Sequence, residues 1–262
     1  LRVLYEILPE SELGPLQHSC RPQYLTETEA EYTVQVTKHM FRNHITLELY
    51  VANTVQGVIL ENVEVRLARL DASLLEEVGA TAISKLDFNQ GASAYIVLKK
   101  NLPPDSAGTV TTSISATLNF LQKEDAADLG FEDDFAIENI QITVGDFISP
   151  RALQQGQFKS VWEQLGSQGT EAQQKFSLSL KSLEAAVEAI TTNLNMHACD
   201  NTGKVEAGVR GHTVLLSGTF LGGNMALAKA LVGMDPNLGC VARVTARSRS
   251  QQVCEVLAKA LM

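Results

Sequence analysis

The chain has 262 residues, 45% hydrophobic and 19% charged, which is ordinary for a globular protein and enough for two domains with separate cores. The 30 Asp and Glu against 21 Lys and Arg leave a net charge of −9, which argues against nucleic acid as the partner of the whole chain. No apolar run is long enough to span a bilayer, and four cysteines without metal-ligand spacing (Cys20, Cys199, Cys240, Cys254) read as reduced thiols of a cytosolic protein.

Strand patterns come first along the chain. Residues 31–36, 44–51 and 63–67 alternate polar and apolar with period two, and residues 94–98, 110–121 and 137–144 are further candidates. Turn chemistry separates them at Ala52-Asn53-Thr54, Asn89-Gln90-Gly91 and Asn101-Leu102-Pro103-Pro104-Asp105. Many short strands without long intervening helices predict an antiparallel β-sandwich. The acid-rich run from Glu124 to Asp128, continued by Glu132-Asp133-Asp134, reads as a solvated loop; the spacing of an EF-hand calcium loop is absent.

The pattern changes at Ser149-Pro150, a serine–proline pair suited to starting a helix. Phe158, Val161, Trp162 and Leu165 then recur at helical spacing, with Gly166 able to close the helix. A short strand at 176–180 leads to a second helix marked by Leu183, Val187, Ile190 and Leu194. Strands follow at 212–220, 226–232 and 240–246, with Gly222-Gly223 as the first hairpin turn. A last helix starts after Ser248 or Ser250. The expected division is therefore a β-sandwich over 1–148 and an α+β domain over 149–262, an antiparallel sheet with flanking helices. Charge divides the same way. Residues 1–148 hold 22 acids and 10 bases; residues 149–262 hold 8 acids and 11 bases.

Catalytic signatures are missing. The five histidines form no zinc pattern, and neither a GxSxG elbow nor a dinucleotide fingerprint occurs. Asn201-Thr202-Gly203-Lys204 resembles the end of a phosphate-binding loop but lacks the earlier glycine and the preceding apolar strand. The expectation is a protein that is not an enzyme and needs no cofactor or metal. The single tryptophan, Trp162, stands one helical turn after Phe158, and such a pair either plugs a core or builds a pocket. The residue pattern alone favours the core; the mildly basic charge around it favours a pocket for aromatic, acidic peptides.

Several segments together resemble the appendage, or ear, domain of the coatomer gamma subunit of COPI coats. They are Leu13-Gly14-Pro15-Leu16, residues 25–32, residues 37–44, Leu60-Glu61-Asn62-Val63, Gly130-Phe131-Glu132-Asp133-Asp134-Phe135, the helix of Phe158 to Trp162, and Val244-Thr245-Ala246-Arg247-Ser248. The resemblance implies an immunoglobulin-like β-sandwich followed by a platform subdomain, and a protein-interaction module. It also implies a platform pocket around Trp162, with Phe158 beside it, and basic residues at Arg247 and Lys229. At Lys229 the family's arginine is replaced, which keeps the charge and loses the bidentate fork. The partners implied are an Arf GTPase-activating protein and other coat accessory proteins, with other coatomer subunits reached through a trunk that this chain does not include. No nucleic acid is implied, and membrane contact is only indirect, through the coat. The setting implied is cytoplasmic, peripheral on Golgi membranes and COPI vesicles, in Golgi-to-ER and intra-Golgi transport. Because the sequence opens on Leu1 rather than Met, with no signal-peptide pattern, it reads as a piece of a longer protein. The alternatives are a clathrin-adaptor appendage and, from another class, a hydrolytic enzyme with a β-sandwich accessory domain.

Overall fold

A computed structural model describes residues 3–102, 107–167 and 170–261. The chain divides into two compact units, Leu1–Leu102 with Val110–Ile142, and Pro103–Thr109 with Thr143–Met262. Residues 103–105 of the turn expected at 101–105 lie outside the described residues.

The first unit opens with short helices α1 (Leu4–Ile7) and α2 (Glu10–Leu13), which bury Leu4 and Leu13 against Phe41 and Val97. Its strands are β1 (His18–Ser19), β2 (Gln23–Tyr24), β3 (Tyr32–Met40), β4 (His44–Asn53), β5 (Ile59–Ala68), β6 (Leu75–Ala80), β7 (Ile83–Leu86), β8 (Gly91–Lys100), β9 (Thr112–Lys123), β10 (Phe131–Ala136) and β11 (Ile140–Ile142). One sheet runs β1-β3-β4-β8-β6 with β2 also on β3; the other runs β10-β9-β5-β7 with β11 also on β9. Strict alternation along β3, buried at every second residue, is what a sheet with one dry face demands. The orders β3-β4-β8-β6 and β10-β9-β5 correspond to the ABED and CFG sheets of an immunoglobulin-like sandwich, with β7 added beside β5. Tyr32 joins the sheets, meeting Phe120 edge-on at 4.8 Å and Phe135 at 5.4 Å. Buried Lys38 does so as well, its Nζ donating to the Gln141 carbonyl at 2.7 Å.

Three features of this unit differ from the sequence expectation. The acids Glu132, Asp133 and Asp134 lie in strand β10, not in a loop. The strand forms because Phe135 packs on Tyr32 while the carboxylates face solvent on a sheet edge, where charge opposes edge-to-edge association. Of the strand expected at 137–144, only Ile140–Ile142 pairs. Asp146 ends it by accepting from the Thr143 N–H at 2.8 Å, which starts a 3-10 turn over Val144–Phe147. Strands β6 and β7 were not expected, since Glu76, Glu77 and Gly79 break the alternation of β6 on its sheet edge.

The second unit continues with β12 (Ile148–Pro150), α3 (Gln157–Gly166), β13 (Glu171–Leu178), α4 (Leu183–Leu194), β14 (His197–Ala198), β15 (Gly211–Phe220), β16 (Asn224–Asp235), β17 (Gly239–Ser248) and α5 (Gln251–Lys259). The sheet order is β12-β15-β16-β17-β13, with β14 also on β15, all antiparallel. Ser149-Pro150 is strand rather than helix start. Proline is tolerated there because β12 is an edge strand, and α3 begins seven residues later, after Gly156 at φ 77°. Serines do cap the other helices: the Ser182 Oγ accepts from Ala185 N at 3.1 Å, and the Ser250 Oγ from Val253 N at 3.4 Å. One face of the sheet, carrying Ala226, Ala228, Ala230, Val232, Val244 and Ala246, is fully buried, and the small side chains let α4 and α5 approach closely. The opposite face carries Leu227, Lys229, Leu231 and Gly233 along β16, and α3 lies on part of it.

Asn53 offers a test of the sandwich. It is fully buried; its Nδ2 donates to the carbonyls of Val58 (2.8 Å) and Leu86 (3.3 Å), and its Oδ1 accepts from Val55 N at 3.0 Å. Asn53→Leu strands those groups and is expected to cost at least about 1–3 kcal/mol in denaturant unfolding. A variant within about 0.5 kcal/mol of the parent contradicts the assignment.

Candidate functional site

All four residues singled out in the sequence, Phe158, Trp162, Lys229 and Arg247, converge where α3 crosses β16 and β17. Phe158, Trp162 and Leu165 form the buried stripe of α3 and pack with Leu227 and Cys199. The two rings stack with centroids 5.7 Å apart and planes inclined by 18°. Phe158 is 1% exposed and belongs to the core. Trp162 is 7% exposed, so the indole that the resemblance places in a pocket is covered in the structure. The covering groups are cations. The Arg247 guanidinium carbon lies 4.4 Å from its ring centroid and the Lys229 Nζ 4.5 Å, with the same Nζ 6.0 Å from the Phe158 ring. Each such contact is worth about 0.5–2 kcal/mol, more where water is excluded.

Strand register explains why these groups meet. Across β13, β17, β16 and β15, same-face residues align in rows: Glu171–Arg247–Leu227–Ser217, then Gln173–Thr245–Lys229–Leu215. Leu227 and Leu215 both pack in the α3 cluster, so α3 sits over these two rows. Arg247 is engaged three ways. Its Nε donates to the Glu171 Oε2 at 2.6 Å, its Nη1 donates to the Trp162 carbonyl at 2.9 Å, and its Cζ stands over the indole. The guanidinium occupies the space beside Gly166: a Cβ there would come within 2.7 Å of Arg247 Cζ. Glycine at the end of α3 is therefore required by close approach.

Lys229 is differently placed. It has no carboxylate partner among the described residues. Lys229 is thus left without a counter-charge, while Arg247 is already paired. Glu171 was not foreseen; its only sequence signal is that a strand at 171–178 puts it opposite Arg247. Cys199, in the same cluster, contacts the Ser217 Oγ at 3.1 Å, and burial pushes its thiol pKa upward, so it is a neutral core side chain. Among the described residues no group of three His, Cys, Asp or Glu is placed to hold a metal ion. The arrangement can cradle an aromatic ring against apolar surface and attract a carboxylate to Lys229.

The burial of Trp162 reverses the stability expectation for an exposed pocket residue. Trp162→Ala is expected to lower unfolding free energy by about 3–5 kcal/mol. Gly166→Ala should destabilise through displacement of Arg247 even though alanine favours helix. A Trp162→Ala protein that melts with the parent contradicts this geometry.

Comparison with known proteins now bears on the whole chain. A family model described as the coatomer gamma subunit appendage platform subdomain matches residues 3–143, and one described as the coatomer subunit gamma-1 C-terminal appendage platform matches residues 145–261. Coatomer subunit gamma of Drosophila melanogaster is 32% identical over 95% of this chain and 28% of its own length. Coatomer subunit gamma-1 of Homo sapiens is 32% identical over 94% and 28%, and coatomer subunit gamma of Arabidopsis thaliana 29% identical over 98% and 29%. The chain thus spans less than a third of the length of these relatives. A crystal structure of a yeast GGA1 GAE domain aligns with 46% of this chain and 98% of its own at 11% identity and a TM-score of 0.32, a likeness too slight to argue from. With both family models matched end to end, the chain belongs to the coatomer gamma subunit appendage family.

Proposed function

We propose that this chain is a protein-recruiting appendage of the COPI coat and not an enzyme. Residues 1–148 serve as the sandwich and 149–262 as the platform. The platform binds accessory and regulatory proteins, among them an Arf GTPase-activating protein, through Trp162, Lys229 and Arg247, with Phe158 backing the indole from the core. Other coatomer subunits are reached through parts of the protein outside this chain, and the working place is the cytoplasmic face of Golgi membranes and COPI vesicles. One observation carries the site: an ammonium without a carboxylate partner, 4.5 Å from an indole and next to a guanidinium. Two cations at one ring repel each other, and Glu171 neutralises only Arg247, so an incoming carboxylate at Lys229 removes a repulsion as well as forming a pair. Lysine has a long flexible stem and can swing from the ring as an aromatic side chain takes its place. Burying such a side chain yields about 1.5–3 kcal/mol. Ordering a flexible peptide consumes part of that, which keeps each contact weak and reversible. Dense arrays of coat subunits then supply avidity.

Calorimetric titration of the 262-residue chain with an Arf GTPase-activating protein tests this reading. Lys229→Glu should weaken binding about tenfold or more while lowering the melting temperature by only a few degrees, roughly what loss of its ring contacts costs. Binding equal to the parent overturns the site.

A further inference from the structure

The same sheet face carries two more register rows that α3 does not reach. They are Lys175–Arg243–Leu231–Thr213 and Ser177–Val241–Gly233–Gly211. Together they floor an open groove of about 1290 Å³, walled on one side by the loop that precedes β15. Its apolar surface is exposed: Leu231 is 46% accessible, Leu238 57% and Val209 39%. Three properties mark it as more than an uncovered sheet.

The first is charge. Lys175 and Arg243 stand directly opposite each other on β13 and β17, a like-charge pair that opposes strand association. Two rows away the same strands pair Glu171 with Arg247. Neither Lys175 nor Arg243 has an ion-pair partner among the described residues. The second is polarity across the groove. The far loop brings Asp200, Lys204 and Glu206 to the groove, two acids and one base, and Asp200 Oδ1 already accepts from Gly156 N at 2.8 Å. The basic end is therefore the β13–β17 end. The third is depth. Gly233 and Gly211 face each other across β16 and β15, and neither has a positive φ. A Cβ at Gly233 would meet nothing nearer than 3.9 Å, and one at Gly211 nothing nearer than 3.4 Å. The fold does not require glycine at either position, and glycine within a strand marks a place where another chain or ligand approaches closely.

We infer that this groove is a second peptide site, which takes an extended acidic segment: a bulky apolar side chain seats against Leu231 over the glycine pair, and a flanking carboxylate binds Lys175 and Arg243. The site begins one register row beyond Lys229, and none of Phe158, Trp162, Lys229 and Arg247 lines it, so different variants test the two readings and they fail separately.

The test uses the 262-residue chain and a fluorescein-labelled, tryptophan-free decapeptide of leucine, phenylalanine and aspartate, read by anisotropy. Gly233→Val fills the groove with a residue that strands favour, and Arg243→Glu reverses the rim charge at an exposed position. The expected result is saturable binding by the parent and about a tenfold or greater loss in both variants, with melting temperatures at or above the parent's for Gly233→Val. Lys229→Glu should keep groove binding, and a peptide with asparagine for aspartate should bind more weakly. The inference is overturned by absence of saturable binding at millimolar peptide, by Gly233→Val and Arg243→Glu binding like the parent, or by loss in Lys229→Glu alone. It is also overturned if the parent self-associates in sedimentation and Gly233→Val abolishes that, which would make a second copy the occupant.

Discussion

Arg247 is the constraint on which the second unit's working surface depends. One guanidinium ties strand β13 through Glu171, the last turn of α3 through the Trp162 carbonyl, and the indole through its face. The bond to the Trp162 carbonyl is charge-assisted and part-buried, whereas the pair with Glu171 is open to solvent and contributes less. Gly166 abuts the guanidinium, and α3 packs over the rows of Arg247 and Lys229, while Leu231 in the next row is exposed.

Charge follows the same division of labour. Residues 149–262 carry 11 bases against 8 acids, and several of those bases sit on a single sheet face: Lys175, Lys229, Arg243 and Arg247. In the acid-rich residues 1–148, Glu132, Asp133 and Asp134 lie on edge strand β10, where carboxylates keep the edge from pairing. A basic, partly apolar face suits short acidic segments of flexible partners, whose individual contacts are weak. The Trp162 ring is covered by Lys229 and Arg247, which keeps its apolar surface from water.

Much of this was legible in the sequence. Alternation located β3, β4, β5 and β9, and helical spacing put Phe158 and Trp162 on one face of α3. What escaped did so for identifiable reasons. The first half of β13, Glu171 to Lys175, carries Glu171, Gln173 and Lys175 on its open face and only Ala172 and Gln174 on the other, so no apolar alternation announced it; with it went the partner of Arg247. Strand β10 was hidden by its acids, because an edge strand with an exposed face needs only one or two packed rings to hold it. Ser149-Pro150 signals a helix start locally, yet the pairing of β12 with β15 overrode that preference. The burial of Trp162 could not be read from spacing, since it depends on Lys229 and Arg247 arriving from strands 67 and 85 residues away in sequence. The facing glycines of β15 and β16 became visible only once register was known.

Trp162 is the sole tryptophan of the chain, so its emission reports directly on the central claim that partners displace Lys229 from the indole. The decisive measurement is fluorescence of the 262-residue chain titrated with a tryptophan-free fragment of the Arf GTPase-activating protein, with binding followed independently by calorimetry. The account predicts a saturable change in Trp162 emission that tracks the calorimetric isotherm and disappears in Lys229→Glu. Saturable binding by calorimetry with no change in Trp162 emission would contradict it.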